Sequence, residues 1–385
     1  MRVFFSFLVV LALVSCSAKR AENQSVAAEL DNFFSQKFTS DDPGGAVLIM
    51  MNDSIVFSKG YGLADIKSRE PITTKTLFNL GSISKTFVAN AILLLAERGK
   101  LSLEDKLLKY FPEFRDKSIA QKVTINHLLT HTSGLPDIRE VARDTVFYLT
   151  AKDSANWYPI TQTDSLLFEP GPQFEYSNPA FNGLAVIIEK VSGMKWQEFI
   201  SANIFKVAGM RNSTITDGPH PETGVSHAYV MNKKKWVEDD YGEEPTFPAA
   251  GNGGVWSSVE ELALYERALW RGAFLPEKTI QDSRTIKKFE NWKGTSPFTA
   301  GWSWFTPVEK DGMYSPIIGW SWFIGSTPDG KKIVGHTGSQ GGFLCNYVSI
   351  PEDKFLFVIL CNAPCDIFGY SNRVMEIVSR SPPTP

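Results

Sequence analysis

Apolar residues recur along this chain with two periods, and the places where each holds decide the architecture. Gly45 to Met51 and Ser54 to Gly60 are strand-like runs on either side of Asn52-Asp53, which suits a tight hairpin turn. Phe343 to Ile350 and Phe355 to Asn362 predict a second hairpin, closed by Pro351-Glu352-Asp353-Lys354. Pairing its arms sets Cys345 opposite Leu360 and turns Cys361 to the other face, so those two thiols do not bridge. Between the hairpins the pattern is different. Phe78 to Phe87 opens an apolar run through Val88, Ala89, Ile92, Leu93, Leu94 and Leu95, apolar on nearly every side until Arg98-Gly99 stops it. That reads as a turn leading into a buried helix.

A further helix is expected from Leu101, with Ser102 as its cap and Asp105 three residues on. From about Phe111 to Ala249 the pattern is mostly helical with long loops, as at Ile125 to Thr130, Asn182 to Val191 and Trp196 to Ala208. Ser258-Val259-Glu260-Glu261 caps a helix through Trp270. Strands are then expected at Gly301 to Phe305, at its near copy Gly319 to Phe323 and at Lys332 to Gly335, with a closing helix near Ile367 to Ser379. Strands at both ends and helices between imply an α+β fold: one antiparallel sheet drawn from both chain termini, flanked by helices, with a mostly helical subdomain inserted. The lobes would be about 29–110 with 251–380, and about 111–250, leaving a cleft between them for a site.

Composition narrows the class. The 385 residues are 43% hydrophobic and 21% charged, enough for a sizeable core. A net charge of −3 offers no basic excess to neutralise phosphates, so a nucleic-acid partner is not expected. Lys233-Lys234-Lys235 is the only basic run and reads as a solvated loop. At the amino terminus, Met1-Arg2 and the apolar run Val3 to Leu13 form a positive head and a core too short to span a bilayer, an export signal. Residues 17 to about 28 are small and polar, a tether ahead of a single domain over 29–380. Cys345, Cys361 and Cys365 read as small buried side chains; Cys361 and Cys365 have metal-like spacing without a Cys or His to complete a site.

The candidate chemistry starts at Ser82 and Lys85, three residues apart on one face of the buried helix, with the amine in reach of the hydroxyl. Ser82 would sit near free N–H groups that favour developing negative charge. A lysine in an apolar wall loses part of its preference for the charged form and can take the serine proton near neutral pH. A Ser-x-x-Lys arises by chance about once or twice in a chain of this length, and Ser192-Gly193-Met194-Lys195 is a second copy, read as a helix end. Two other segments lift the first copy. Tyr176 lies on the loop after Pro170-Gly171-Pro172 and can share a proton with Lys85 or protonate a leaving group, while the Asn178 amide can hold a substrate carbonyl or the lysine. Gly335-His336-Thr337-Gly338-Ser339 closes a strand, with glycines where a substrate backbone approaches.

In the order Ser82-x-x-Lys85, Tyr176-Ser177-Asn178, His336-Thr337-Gly338, the chain resembles the penicillin-binding and serine β-lactamase superfamily, over about residues 30 to 380. The tyrosine in the middle motif resembles the class C β-lactamases, the D,D-carboxypeptidases and the related esterases. Flanking segments Leu128 to Leu135 and Gly171 to Asn178 add to the likeness. The resemblance implies that Ser82 is the acylated nucleophile, Lys85 its base, Tyr176 the proton-transfer partner and Asn178 a substrate and lysine contact. His336, Thr337 and Gly338 would bind substrate, and the backbone N–H groups of Ser82 and Ser339 would form the oxyanion hole. It implies a cofactor-free serine hydrolase acting through an acyl-enzyme on amides or esters, D-amino-acid peptides first, with class C-like β-lactam hydrolysis as the alternative. A non-catalytic muropeptide or β-lactam binder is the alternative from another class. Leu13-Val14-Ser15-Cys16 resembles a bacterial lipobox, which implies cleavage before Cys16, a lipid on that residue, and a periplasmic or cell-surface domain touching the membrane only through the lipid.

One departure matters. Most β-lactamases carry Lys-Thr-Gly where this chain has His336, which is largely neutral at pH 7 unless a carboxylate binds beside it. That weakens the case for tight recognition of a β-lactam carboxylate. Other readings of the same residues are bland. His131-Thr132-Ser133-Gly134 looks like the third motif but falls at a helix end and reads as a stop signal. His127 and His131 are four apart, but Leu128 replaces the Glu of His-Glu-x-x-His, so no metal site is expected. Tyr370-Ser371-Asn372 reads as a surface or capping segment, and Trp302, Trp304, Trp320 and Trp322 as packing residues.

Overall fold

The computed structural model describes residues 24–138, 152–215, 217–218, 223–239, 247–248, 250–287, 309–310, 313–314, 318–327 and 329–380. The export signal, Cys16 and the strand expected at Gly301 to Phe305 lie outside the described residues. The first element, α1 (residues 24–35), buries Val26, Leu30 and Phe34, one from each turn. Residues 24–28, read as tether, are therefore already part of the folded domain.

Next come β1 (Gly45–Met51) and β2 (Ser54–Tyr61), joined by Asn52 and Asp53 at φ of 50° and 62°, the left-handed pair that a two-residue hairpin turn requires. A three-residue 3₁₀ turn, Gly81–Ile83, leads into α2 (Ser84–Glu97), buried from Ser84 to Leu95. The helical lobe holds α3 (Lys117–Lys122), α4 (Ile125–Leu129), α5 (Asp153–Thr161) and α6 (Asn178–Ser192). It then runs helically from Trp196 to Ala208 as α7, with a π turn at Ser201–Phe205. A hairpin follows, β3 (Tyr229–Asn232) and β4 (Lys235–Glu238), with Lys233 and Lys234 at its tip. Then come α8 (Val259–Trp270), α9 (Glu277–Ser283), β5 (Phe323–Ser326), β6 (Lys332–Gln340), β7 (Phe343–Ile350), β8 (Phe355–Cys361) and α10 (Ile367–Ser379).

Six strands form one antiparallel sheet in the order β5-β6-β7-β8-β1-β2, so the first hairpin closes against the last. Alternation along the central strands sorts the core into two layers. Ala46, Leu48, Met50, Leu356, Val358 and Leu360 face α2, α6 and α8, whereas Val47, Ile49, Phe355, Phe357 and Ile359 face α1 and α10. Cys345 pairs with Leu360 across β7 and β8, Cys361 lies in the other layer, and all three described cysteines are free thiols.

Four local expectations are corrected. Ser102 caps a turn and only the three-residue 3₁₀ turn Leu107–Lys109 follows: the Asp105 carboxylate folds back onto Ser102 N–H at 2.9 Å, and Lys106 bridges to Thr124 as extended chain. Gly319 to Ser321 is a bend, because Ser321 has φ of 67° and the N–H groups of Trp320 and Ser321 bind the carbonyls of Ser283 and Leu129 at helix ends. The strand begins only at Phe323. The helical lobe also contains the β3–β4 hairpin, whose polar strands hid its alternation. Finally, Ser371 is fully buried and holds Asn346 at 2.6 Å, while Tyr370 packs edge-on against Phe34 and Phe38, so that segment is core and not surface.

Candidate active site

The turn before α2 is fixed from both sides. Asn79 Oδ1 accepts the N–H of Gly81 at 2.8 Å, Leu80 N–H donates to the Val255 carbonyl, and Val255 N–H donates to Ser84 Oγ at 3.0 Å. Two glycines let β6 press against this turn. A Cβ on Gly338 would stand 1.9 Å from the Leu80 carbonyl oxygen, and one on Gly81, at φ of 49°, would stand 2.7 Å from Ser339 N. The sequence reading gave Gly338 to substrate approach; the structure gives it a packing reason as well. This contact brings Ser339 beside the turn that carries Ser82.

Lys85 is completely buried one turn after Ser82. Its Nζ lies 2.9 Å from Ser82 Oγ and donates to the backbone carbonyl of Asn252 at 2.7 Å. The amine also stands over the rings of Tyr176 (5.2 Å) and Phe181 (5.8 Å), a cation–π wall. The sequence reading missed Asn252, since the contact is through backbone and only the run Gly251-Asn252-Gly253-Gly254 could have signalled a close approach. Beneath that loop, Asp153 Oδ1 accepts from Gly251 N–H at 2.8 Å and from Asn182 Nδ2 at 2.7 Å. Burial pushes the Asp153 carboxyl up to about 7, against the pull of these donors.

Tyr176 and Asn178 stand at the start of α6, which begins at Asn178, before the run from Asn182 to Val191 read from the pattern. Ser177 caps it, accepting from Ala180 N–H, and Pro179 occupies the first turn where no N–H is needed, so Asn178 is the first helical residue and not a loop residue. Burial raises the Tyr176 phenol above its ordinary value, with a hydrogen bond to Ser82 pulling the other way. The ring of His131 stacks on that of Tyr176 at 4.5 Å. His131 follows α4 at φ of 57°, so it is the stop expected, but it also belongs to the site, which the sequence reading missed. His127 completes a capping box with Thr124 through Nδ1.

His336, Thr337 and Gly338 lie inside β6, which runs on to Gln340. His336 is buried, and its Nδ1 lies 2.6 Å from the Thr337 carbonyl, so that nitrogen carries the proton and Nε2 is an acceptor with no hydrogen-bond partner among the described residues. Burial, then the charge of Lys85, lower its pKa to about 3. His336 is therefore neutral at pH 7. Thr337 is half-buried and Ser339 exposed on the same strand. Trp320 spends its N–H on Asn126 Oδ1 and Trp322 is fully buried beside Arg284, so both pack, while Trp302 and Trp304 lie outside the described residues.

A buried amine on a serine hydroxyl, a tyrosine on the same hydroxyl and an antiparallel sheet with helices on both faces beside them fit a serine hydrolase of the penicillin-binding type. The chain belongs to the β-lactamase family, whose model matches residues 30–370. It is 28% identical over 337 residues to a penicillin-binding protein of Bacillus subtilis, covering 83% of this chain and 68% of that one. It is likewise 28% identical over 338 residues to a β-lactamase of Escherichia coli, covering 83% and 84%. The solved structure of a D-amino acid amidase from Ochrobactrum anthropi, 20% identical, superposes with a TM-score of 0.70 over 94% of this chain and 99% of that one, a likeness of fold.

Proposed function

We propose that this hydrolase cleaves amide or ester bonds of D-amino-acid peptides and related compounds by a D,D-carboxypeptidase- or amidase-like route. In the neutral form, the Lys85 amine takes the Ser82 proton, and Oγ attacks the substrate carbonyl carbon. The N–H groups of Ser82 and Ser339 receive the oxyanion, each worth about 3 kcal/mol in the transition state. Tyr176 passes a proton to the departing nitrogen or oxygen, leaving a Ser82 ester. Water then adds to that ester and returns the proton through the same groups, releasing the acid. Asn178, at the start of α6, and Thr337, on β6, are the residues this reading gives to the substrate.

The observation that carries the substrate class is the burial of His336 where most β-lactamases hold a lysine, its Nδ1 on the Thr337 carbonyl at 2.6 Å, surroundings that push its pKa down. A cation at that position would attract a β-lactam carboxylate; an uncharged imidazole gives up that attraction, which fits a peptidase, amidase or esterase at least as well, and most of all substrates with no carboxylate beside the scissile bond. Turnover of nitrocefin measured beside a D-Ala-D-Ala peptide and a D-amino-acid amide tests this. Faster turnover of the peptide or amide supports the proposal, and efficient nitrocefin turnover with neither of the others cleaved assigns the chain to β-lactam hydrolysis. We propose as well that Cys16 carries the lipid that holds the exported enzyme on a bacterial membrane. Metabolic labelling with an alkynyl fatty acid should mark the wild type and not Cys16→Ser, and equal labelling would refute it.

A further inference from the structure

Tyr176 is gripped by a residue that none of the steps above uses. His131 touches the tyrosine segment three times. Its carbonyl accepts the N–H of Glu175 at 2.9 Å, its Nδ1 accepts the N–H of Ser177 at 3.0 Å, and its ring stacks on the Tyr176 ring at 4.5 Å with 25° between planes. The two backbone donors flanking Tyr176 thus end on one histidine. His131 is itself immobilised: it is 1% exposed, packed against Phe174 and Phe181, and set in the left-handed region that histidine enters more readily than most side chains.

We infer that His131 is a positioning residue for acyl transfer, holding the Tyr176 hydroxyl over Ser82; this rests on the reading of Tyr176 as the proton-transfer group. The bracket also fixes a tautomer. Nδ1 must be unprotonated to accept from Ser177, so the proton sits on Nε2, which is buried without a hydrogen-bond partner among the described residues. Charging the ring would turn Nδ1 into a donor facing a donor and break the grip. Burial first, then the charge of Lys85, oppose an imidazolium at His131; His336, itself neutral at pH 7, adds no charge there, and the stacked Tyr176 ring is the one of these neighbours that would attract one.

The substitutions that separate acceptor from ring are Asn and Phe. Asparagine keeps an acceptor at the δ position and tolerates the left-handed backbone, whereas phenylalanine keeps the ring and loses the acceptor. For His131→Phe, kcat on an activated ester should fall by about 10- to 100-fold with KM changed less than about threefold. His131→Asn should recover most of that loss, and both should show wild-type circular dichroism. A folded His131→Phe with wild-type kcat, or an Asn variant no better than Phe, overturns the role. Long-range ¹H–¹⁵N spectra of histidine-labelled protein read the tautomer without reference to turnover. A bare Nδ1 and a protonated Nε2 at pH 7, in the signal missing from His131→Asn, support the bracket; a protonated Nδ1 overturns it. If the wild type cleaves no substrate while the tautomer is as stated, the catalytic reading fails and the bracket stands as architecture only.

Discussion

At the scale of single residues, the site depends on burying groups that water would prefer to keep. Asp153 is the sharpest case, since its carboxyl is buried and holds its proton up to about 7 where an unfolded chain releases it near 3.8. A raised carboxylate pKa stabilises the fold in acid. That stability is fully present below about 3.8, drains as pH climbs to about 7 and is absent above, a loss on the order of 4 kcal/mol. Asp153→Asn keeps an oxygen for Gly251 and Asn182 but does not titrate. Urea melts from pH 4 to 8 should show the wild type losing stability relative to the variant as pH rises, and parallel curves would refute the ionisation. Replacing Lys85 by Ala removes the amine 2.9 Å from Ser82 Oγ, so acylation should slow by at least about 10²-fold in stopped-flow labelling, general base catalysis being worth that much. Lys85 was legible in the sequence because a fixed spacing from Ser82 announced it. Asp153 and Asn252 were not, because their contacts cross between elements distant in the chain, and Asn252 acts through a carbonyl that every residue possesses.

At the scale of elements, legibility followed the strength of the local signal. The β1–β2 and β7–β8 hairpins and the bounds of α10 could be read because alternation, turn residues and caps agreed. Ser102 failed as a helix cap because the Asp105 side chain closed a turn before any helix could start, a competition between side chain and backbone. The Trp-Ser-Trp copy at 320–322 failed because aromatic residues mark strands only when their N–H groups find a neighbouring strand, and here they find helix ends. The join between β6 and the Ser82 turn was invisible in sequence, although Gly338 made it possible. Gly338→Ala places a methyl group on the Leu80 carbonyl, so strand and turn must part; a loss of about 1–3 kcal/mol in chemical denaturation is expected, together with slower acylation as the N–H groups of Ser82 and Ser339, proposed to receive the oxyanion, separate. An unchanged midpoint and rate would show that the two elements are not pressed together.

Across the whole molecule, the sheet joins the two ends of the chain and α2 and α6 press the helical lobe against it, so the site lies where the lobes meet. A buried ion pair ties the helices to the sheet: Arg284 makes two hydrogen bonds to Glu266 at 2.7 and 2.6 Å, and the same carboxylate is held by Ser349 at 2.6 Å and by Tyr347. Burial opposes its charge, but the Arg284 guanidinium prevails and holds the Glu266 carboxyl below its ordinary value. Glu266→Gln leaves the guanidinium buried without its counter-charge and should cost about 3–5 kcal/mol in urea denaturation; a cost under 1 kcal/mol would mean water reaches the pair. The sheet drawn from both chain ends was legible from the order of strands and helices, and the family motifs named three of the segments at the site but not Asn252 or His131. What unites these scales is a Ser82 hydroxyl made nucleophilic by its neighbours. Intact-mass spectrometry after brief exposure to a fluorophosphonate tests this most directly: the wild type should gain one phosphonyl group and Ser82→Ala none, with Lys85→Ala labelled far more slowly, whereas equal labelling of all three, or none of the wild type, would contradict it.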